Sequence, residues 1–232
     1  TNTLVVDSAN NRVGVGTANP TEEIHGYSSG GDFSLKLESA SATGTAYTYY
    51  KNADRQWATG IRGSVGDSYQ IIDSTADTAR LVIDTTGAVT MPYQPAFLAI
   101  PTGAQFNFPI GAQTTVAFAN EIFDQGNNFS SNTFTAPVSG RYQFSVLLYA
   151  NYMDTATDYY QCQIMTSNRV YSQIVSSNRY TADPTYFSFA VSILVDMDAE
   201  DTAYVRIDVS NSGSSQLDLE GTASRFSGYL VC

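Results

Sequence analysis

Pairs of carboxylates are the residues in this chain whose types and spacing could support catalysis. Asp154 and Asp158 flank one polar stretch, and Asp196 and Asp198 lie two residues apart in another. Two carboxylates at a suitable separation can act as acid and as base or nucleophile in the hydrolysis of a glycosidic bond. Acidic side chains also solvate loops, and this second interpretation is favoured for both pairs. A carboxylate-based glycan depolymerase is therefore kept only as an alternative function.

The acidic stretches also carry the oxygen atoms that a calcium ion prefers. Residues 196–201 contain four carboxylates, and Asp154 and Asp158 bracket a second acidic segment. Neither stretch matches an EF-hand loop, because the central glycine and the closing glutamate are missing. We predict no required cofactor, and Ca²⁺ stays an open alternative with Asp154 and Asp158 as its candidate ligands.

The aromatic-rich second part of the chain lacks the histidine and lysine residues that nucleophilic catalysis would need. The single histidine is His25, and no lysine follows Lys51. A Ser-His-Asp or Cys-His arrangement therefore cannot be assembled there. No His/Cys spacing suits zinc, and no helix follows Gly14-Val15-Gly16 to support a dinucleotide site. We predict that the protein is not an enzyme.

Charge and hydropathy exclude two classes of partner. The formal net charge is −11, and neither half of the chain has a basic patch, so binding to nucleic acid has no electrostatic support. No run of 18 apolar residues occurs, so we expect no membrane insertion. The two cysteines, Cys162 and Cys232, are too few for a disulfide framework. Free thiols are favoured, and their pairing is left open.

The composition predicts an all-β protein in two parts. Tyr and Phe dominate the large apolar residues, and Ser, Thr, Asn, Gly and Ala fill most of the rest. Aromatic residues favour pleated surfaces, and Gly and Asn favour turns. No segment has a helical period with caps at both ends. Pro92 and Pro95 mark the point where short strands give way to long ones, so we divide the chain into residues 1–92 and 93–232.

Residues 1–92 consist of short strands and turn residues. Leu4–Asp7 leads through Asn10 and Asn11 to a second apolar strand, and residues 81–91 repeat this pattern around Gly87, so both segments predict hairpins. Four more short strands are expected, at residues 33–37, 47–50, 56–61 and 69–72. Such segments bury too little apolar surface to fold alone. We predict a thin stalk in which three copies of the chain intertwine, with a small β-domain or a linker as the alternative.

Residues 93–232 predict a sandwich of longer strands. Tyr142, Phe144, Val146 and Leu148 alternate with polar residues, as do the apolar residues from 187 to 195, which places each set on one strand face. The predicted strands are 114–118, 132–136, 141–149, 159–166, 171–176, 187–195, 203–209, 216–219 and 225–231. About ten strands with short turns indicate a sandwich or jelly roll of one domain.

This second part resembles the C1q domain family. Phe134, Gly140, Tyr142 and Phe144 have the spacing of the family signature, and residues 226–231 are similar to its last strand. The resemblance implies a C1q/TNF-like jelly-roll head at residues 93–232 that forms a homotrimer. At Gly140 we expect a turn that needs an unusual backbone angle. Tyr142 and Phe144 are expected to lie in the core and not to bind a ligand.

The first part resembles the repeats of bacteriophage tail-fibre and appendage proteins. Residues 11–20 read N-R-V-G-V-G-T-A-N-P, residues 80–92 are similar to a closing repeat of the same family, and residues 93–97 resemble the lead into phage-borne C1q-like heads. The resemblance implies a homotrimeric fibre tip on the virion surface, exposed to the extracellular medium. The start at Thr1, with no initiator Met, indicates a fragment joined to an upstream part of the fibre or virion.

Strand direction predicts which loops of the head point away from the stalk. Both ends of a C1q-like domain lie at its base, so a last strand that runs toward the base puts residues 151–158, 178–186 and 211–216 at the far end and residues 196–201 at the base. Aromatic rings, amides, carboxylates and an arginine together suit a sugar. The predicted ligand-binding residues are Asn151, Tyr152, Asp154, Asp158, Arg179, Tyr180, Asp183, Asn211 and Ser212.

These features predict a function in attachment. The chain is expected to be a fibre tip that binds a host-surface receptor, with a bacterial surface glycan favoured over a protein. Threefold display would strengthen weak single sites through avidity. A structural or decorating appendage without a specific ligand is the second hypothesis, and the depolymerase is the third.

Overall fold

The structure is a computed structural model, and it describes residues 4–232. Strands hold 49% of the residues and helices 3%, so the predicted all-β fold is confirmed. The chain forms two units, Thr1–Thr90 and Met91–Cys232, and each is described by itself. Short 3-10 helices occupy Gly63–Val65 and Ser177–Arg179. Within the described residues, no helix has the length and hydropathy needed to cross a membrane.

Within residues 4–90, eight strands form two sheets. They are β1 (Leu4–Asp7), β2 (Arg12–Val15), β3 (Ile24–Gly26), β4 (Thr45–Lys51), β5 (Gln56–Arg62), β6 (Ser68–Asp73), β7 (Thr78–Ile83) and β8 (Val89–Thr90). β1, β2 and β3 make one sheet, and β4 to β8 follow one another in a five-stranded antiparallel sheet. The first unit is therefore built from local strand pairings.

Both hairpins predicted in this unit are confirmed. β1 pairs antiparallel with β2, and β7 pairs antiparallel with β8. In the first turn, Asn11 has φ 55°, a left-handed conformation that asparagine tolerates better than most residues. The Asp7 carboxylate accepts a hydrogen bond from the Asn10 backbone N–H at 3.2 Å, which closes the turn.

The strand predicted at residues 33–37 is wrong. These residues have no regular secondary structure, and Phe33, Leu35 and Leu37 are exposed. The Phe33 ring packs against Gly26 at the end of β3. None of the strands found between residues 4 and 232 pairs with this segment. Alternation of apolar residues does not make a strand where the backbone has no partner.

The five-stranded sheet has one buried and one exposed face. Ala58 and Ile72 pair across β5 and β6 and are buried on the first face. Ile61, Tyr69 and Ile71 lie on the other face, and each is more than one-third exposed. The exposed face therefore presents apolar side chains on adjacent strands.

Within residues 91–232, twelve strands form two facing sheets. They are β9 (Ala96–Ile100), β10 (Ala112–Thr115), β11 (Asn120–Gln125), β12 (Phe129–Ser130), β13 (Thr133–Thr135), β14 (Gly140–Asn151), β15 (Tyr160–Thr166), β16 (Val170–Val175), β17 (Tyr186–Met197), β18 (Thr202–Val209), β19 (Asp218–Leu219) and β20 (Arg225–Leu230). The β18 sheet has the order β12-β13-β18-β15-β16, with β10 also on β18. The β14 sheet has the order β11-β9-β20-β14-β17, with β19 also on β14. The predicted jelly-roll sandwich is confirmed.

Aromatic rings fill the space between these two sheets. Tyr142 and Phe144 are fully buried on the inner face of β14, which confirms the predicted alternation. Phe97 of β9 stacks on Phe129 and Phe134 of the opposite sheet, with ring centroids 4.6 and 5.1 Å apart. Burial of such rings is the main source of stability in a sandwich.

The unusual backbone angle predicted at Gly140 is wrong. Gly140 is not among the residues with positive φ. A Cβ there would lie 2.7 Å from the carbonyl oxygen of Cys232 and 2.7 Å from Cδ1 of Leu230. The glycine is needed because the end of the chain passes close to the start of β14.

Both cysteines are free thiols. Cys162 lies in the core on β15, and burial raises the pKa of its thiol to about 12, so the reactive thiolate is not formed at neutral pH. Cys232 is exposed.

Candidate functional site

Three loops of the second unit meet at the end of the sandwich opposite the point where the chain enters. Tyr142, near the start of β14, lies opposite Leu230 at the end of β20, and β14 then runs the length of the sheet to Asn151. The loops at that far end, called the tip loops, are residues 152–159, 176–185 and 210–217. Residues 198–201 lie at the end where the chain enters, as the strand directions predict.

Asp154 joins the first and third tip loops and is only 8% exposed. Its Oδ2 accepts hydrogen bonds from the Ser214 backbone N–H at 2.6 Å and from the Ser214 hydroxyl at 2.7 Å. Its Oδ1 accepts one from the Ala156 N–H at 2.7 Å. These bonds, the one from the Ser214 hydroxyl above all, lower the pKa of the carboxyl. Asp154 therefore anchors the loops and its oxygens are already occupied.

Asp183 joins the second tip loop to the other two. Its Oδ1 accepts hydrogen bonds from the backbone N–H and the hydroxyl of Thr155, at 2.8 and 2.7 Å. Its Oδ2 accepts one from Nε2 of Gln216 at 3.2 Å. The contacts with Thr155 lower the pKa of this carboxyl. Two carboxylates thus hold all three tip loops together.

The third tip loop approaches the first so closely that it needs a glycine. Gly213 has φ 85°, and a Cβ there would lie 2.5 Å from Oγ1 of Thr157 and 2.8 Å from Oδ2 of Asp154. Thr157 donates its hydroxyl proton to the backbone oxygen of Ser212 at 3.1 Å, and the Asp158 N–H donates to the Ser212 hydroxyl at 3.0 Å. Ser212 therefore links the third tip loop to the first, through hydrogen bonds to its backbone oxygen and its hydroxyl.

A cleft of about 470 Å³ opens among the tip loops and the segment before β10. The residues that line this tip cleft are Asn107, Tyr152, Asp183, Pro184, Thr185, Gln216 and Asp218. Tyr152 and Asp183 belong to the predicted ligand-binding set. Tyr152 is 54% exposed and has φ 59°, a left-handed conformation that is rare for an aromatic residue. The cleft combines an accessible ring with amides and carboxylates.

Sequence reasoning missed Asn107 and Asp218. They meet because Gln105 and Leu219 form an isolated bridge between distant segments of the chain. The Asn107 backbone N–H donates to Oδ1 of Asp218 at 2.8 Å, and Asn107 itself has φ 55°. Asn107, two residues before Pro109, could have indicated a turn, but nothing in the sequence indicates that this turn contacts Asp218.

The family of this unit follows from residues 96–231, which match the C1q domain over more than half of the chain. The chain belongs to the C1q domain family. C1q/TNF-like domains are typically binding modules and not enzymes, and they often bind ligands or receptors as trimers.

Solved structures similar to this chain include two heads of the C1q/TNF type. The globular domain of zebrafish complement 1qA protein is 14% identical and covers 60% of this chain and 98% of that chain, with a TM-score of 0.44. Murine APRIL is 12% identical and covers 60% of this chain and 99% of that chain, with a TM-score of 0.42. No curated protein sequence matches the chain.

Four other residues of the predicted ligand-binding set lie outside the tip cleft. Asp158 and Asn211 line a second cleft of about 440 Å³ beside β18. The Tyr180 ring lies edge-on against Phe187, with centroids 6.4 Å apart, and Arg179 ends the short helix just before it. The predicted set is therefore divided among separate surfaces at the same end of the domain.

Asn151 lies at the end of β14, on the outer face of the sheet. Its Oδ1 is buried, and it is one of three buried side-chain atoms in the described residues that have no hydrogen-bond partner. The register places it between Tyr186 on β17 and Asp218 on β19. A role in ligand binding for Asn151 stays a prediction.

Three of the carboxylates considered for calcium or for catalysis, Asp154, Asp196 and Asp201, are engaged in other contacts. Asp196 pairs with Arg169, and Asp201 accepts a hydrogen bond from Asn168 at 2.8 Å. Both carboxylate oxygens of Asp154 accept hydrogen bonds within the tip loops. Within residues 4–232, no group of three His, Cys, Asp or Glu side chains is arranged to hold a metal ion.

Acidification is expected to loosen the tip loops. The folded-state pKa values of Asp154 and Asp183 lie below the ordinary 3.8, so their charged forms contribute stability that is complete above that value. This stability is lost as the pH falls through the lowered values. Calorimetry should show a constant unfolding midpoint near neutral pH and a decline below about pH 4. An Asp154→Asn variant should decline less steeply, and an identical decline would show that Asp154 is not a cause.

Proposed function

We propose that this chain is the tip of a homotrimeric virion fibre of the bacteriophage type, which attaches to a glycan on the host-cell surface. The repeat-like residues 11–20 and 80–92 and the C1q domain support this proposal. The observation that carries it is the tip cleft, which lies at the end of the domain farthest from the point where the chain enters. The fibre tip would lie on the virion surface in the extracellular medium, joined to an upstream part of the fibre.

The tip loops are preorganised for binding. Asp154 and Asp183 together accept six hydrogen bonds from the loops around them. A rigid site loses less conformational entropy when it binds its ligand. This rigidity favours a specific receptor over the alternative of an appendage without a ligand.

The outer face of the β14 sheet is suited to contact between copies. Leu98, Leu147, Leu194 and Tyr229 point outward there, among serine and alanine side chains and the longer polar side chains of Gln143 and Arg225. A groove of about 300 Å³ runs across this face, with Leu147 and Ala190 in its lining. C1q/TNF homologues form homotrimers, so we place the contact between copies on this face.

The other outer face of the sandwich differs in chemistry. On the central strands β15 and β18 of the other sheet, the outward positions include Gln161, Gln163, Arg206 and Asp208, which carry polar or charged side chains. Exposed apolar residues of this sheet, Val170 and Ile174, lie on its edge strand β16. Arg206 donates to Gln163, and Gln113 donates to Asp208 at 3.1 Å. These groups are satisfied within one chain, which supports the β14 sheet as the face for self-association.

The first unit supports a stalk formed by several chains. Its five-stranded sheet exposes Ile61, Tyr69 and Ile71 on one face. Burial of apolar surface between copies would stabilise a unit that has few buried apolar residues of its own. We propose that other copies of the chain cover this face.

Binding of the purified full-length chain to bacterial cells tests the proposed function. A fluorescent conjugate should label a subset of bacterial strains, and removal of surface polysaccharide from those strains should abolish the labelling. Labelling that survives this treatment but is lost after protease would indicate a protein receptor. If no strain is labelled, the structural appendage becomes the better interpretation. A shortened polysaccharide after incubation would instead support the depolymerase.

A further inference from the structure

We infer that the tip cleft binds a neutral sugar and selects against acidic polysaccharides. This inference rests on the proposed function and names the class of receptor. It depends on the side chains that are accessible in the cleft and on the sign of the charge there.

The cleft offers one aromatic ring to a ligand. Tyr152 is about half exposed and lies in the cleft wall, and its backbone N–H donates to the carbonyl oxygen of Thr185 at 3.1 Å. This bond fixes the backbone of Tyr152 against the opposite loop. The apolar face of a sugar ring packs well on an aromatic ring, and tyrosine loses little conformational entropy when it is immobilised.

Several polar groups of the cleft remain available to a ligand. Within residues 4–232, the side-chain amide of Asn107 and the hydroxyl groups of Tyr152 and Thr185 form no hydrogen bond with the protein. Asp218 uses Oδ1 for the Asn107 N–H, which leaves its Oδ2 as an acceptor. Hydroxyl groups of a sugar can donate to this carboxylate and accept from the amide.

Other groups of the cleft are already committed to the protein. Gln216 donates from Nε2 to Asp183, and its Oε1 lies 3.0 Å from the oxygen of the Ser214 hydroxyl, whose proton is donated to Asp154. Asp183 accepts from Thr155 and from Gln216. These residues shape the wall of the cleft, and Asp183 contributes its negative charge.

The negative charge of the tip cleft favours neutral sugars over acidic ones. Asp183 and Asp218 line it, and neither lysine nor arginine is among the described residues of its wall. Residues 93–232 carry five arginines and twelve carboxylates. A uronate, sialic acid or phosphate group in the cleft would meet like charge with no cation to compensate it. Neutral hydroxyl groups meet no such penalty.

Binding to purified polysaccharides tests this inference. The full-length chain would be titrated against the neutral polymers dextran, mannan and galactan, and against the acidic polymers alginate, polygalacturonate and hyaluronate. We expect at least one neutral polymer to bind more than tenfold more tightly than every acidic one. EDTA should leave the affinity unchanged. Preferred binding of acidic polymers, or binding that EDTA abolishes, would overturn the inference.

Two substitutions connect the binding to the cleft. Tyr152→Asn removes the ring but tolerates the left-handed backbone, and we expect it to weaken neutral-sugar binding about tenfold or more. Asp218→Asn keeps an acceptor for the Asn107 N–H and removes a charge, so it should reduce the preference for neutral over acidic polymers. Tyr27→Asn is the matched control, because Tyr27 is also 54% exposed but lies in the first unit.

The outcomes separate this inference from the proposed function. Cell labelling that is unaffected by Tyr152→Asn, with no binding to any neutral polymer, would retain the fibre tip and reject the cleft as its sugar site. Neutral-sugar binding that Tyr152→Asn abolishes, with no cell labelled, would support the cleft and reject the proposed attachment. If neither cells nor neutral polymers bind, both are rejected.

Discussion

Asp154→Ala is expected to lower the free energy of unfolding of the C1q domain by about 3 kcal/mol and to open the tip loops. The carboxylate is nearly buried and accepts bonds from the Ser214 N–H, the Ser214 hydroxyl and the Ala156 N–H. A hydrogen bond to a charged group contributes about 1.5–3 kcal/mol, and water can replace part of what is lost because Ser214 and Ala156 are exposed. Differential scanning calorimetry at fixed protein concentration would measure the change, because assembly also affects the midpoint.

The control for this substitution lies at the other end of the domain. Asp198 is a carboxylate in the turn before β18, away from the tip loops, and Asp198→Ala should change the free energy of unfolding by no more than about 0.5 kcal/mol. Asp154→Asn should fall between the two, since an amide oxygen replaces only part of the acceptor capacity. Equal effects of Asp154→Ala and Asp198→Ala would contradict the anchoring role.

Gly213 gives an independent check on the same contacts. Its positive φ and the short distances from an added Cβ to Thr157 and Asp154 mean that alanine cannot be accommodated without moving the third tip loop. The Gly213→Ala variant should therefore lose the tip cleft while the β14 and β18 sheets, whose contacts it does not touch, remain folded. Loss of ligand binding with an unchanged β-sheet circular dichroism spectrum would agree with this expectation.

The fold was predictable where the pattern is local. Alternation along β14 identified its buried face, and turn residues identified both hairpins of the first unit. β9 was not predicted, because Pro95 and Pro101 bracket it and indicate a loop. Its place is decided by pairing with β20, more than a hundred residues away along the chain. The strand predicted at residues 33–37 was wrong for the opposite reason: the apolar residues alternate, but none of the described strands pairs with this segment.

The end of the domain at which the tip loops lie was predictable, but the contacts of their side chains were not. The alternating strand directions indicated which loops lie at the far end, once the resemblance to C1q-like domains had placed both ends of the domain at its base. Residue type could not show that Oδ2 of Asp154 accepts hydrogen bonds from Ser214, whereas Oδ2 of Asp218 remains available as an acceptor. That difference arises from side-chain contacts between loops sixty residues apart, and a carboxylate looks the same in the sequence whether it anchors a loop or faces a ligand.

Leu194→Glu is expected to convert the proposed trimer to a monomer of 25.1 kDa. Leu194 lies on the outer face of the β14 sheet and is 49% exposed in the single chain, so the substitution should not disturb the core of that chain. In a trimer that buries this face, it would place three carboxylates in an apolar contact, which is strongly unfavourable. Light scattering with size-exclusion chromatography would measure the mass of the wild-type and variant proteins.

The same variant separates affinity from avidity. A monomer keeps the tip cleft, so its binding to a short neutral oligosaccharide should match that of the wild-type protein, whereas its binding to whole cells should fall about a hundredfold. Ile174→Glu is the matched control, because Ile174 is an exposed apolar residue on β16 in the other sheet. If Ile174→Glu disrupts the assembly and Leu194→Glu does not, the contact between copies lies on the β18 sheet.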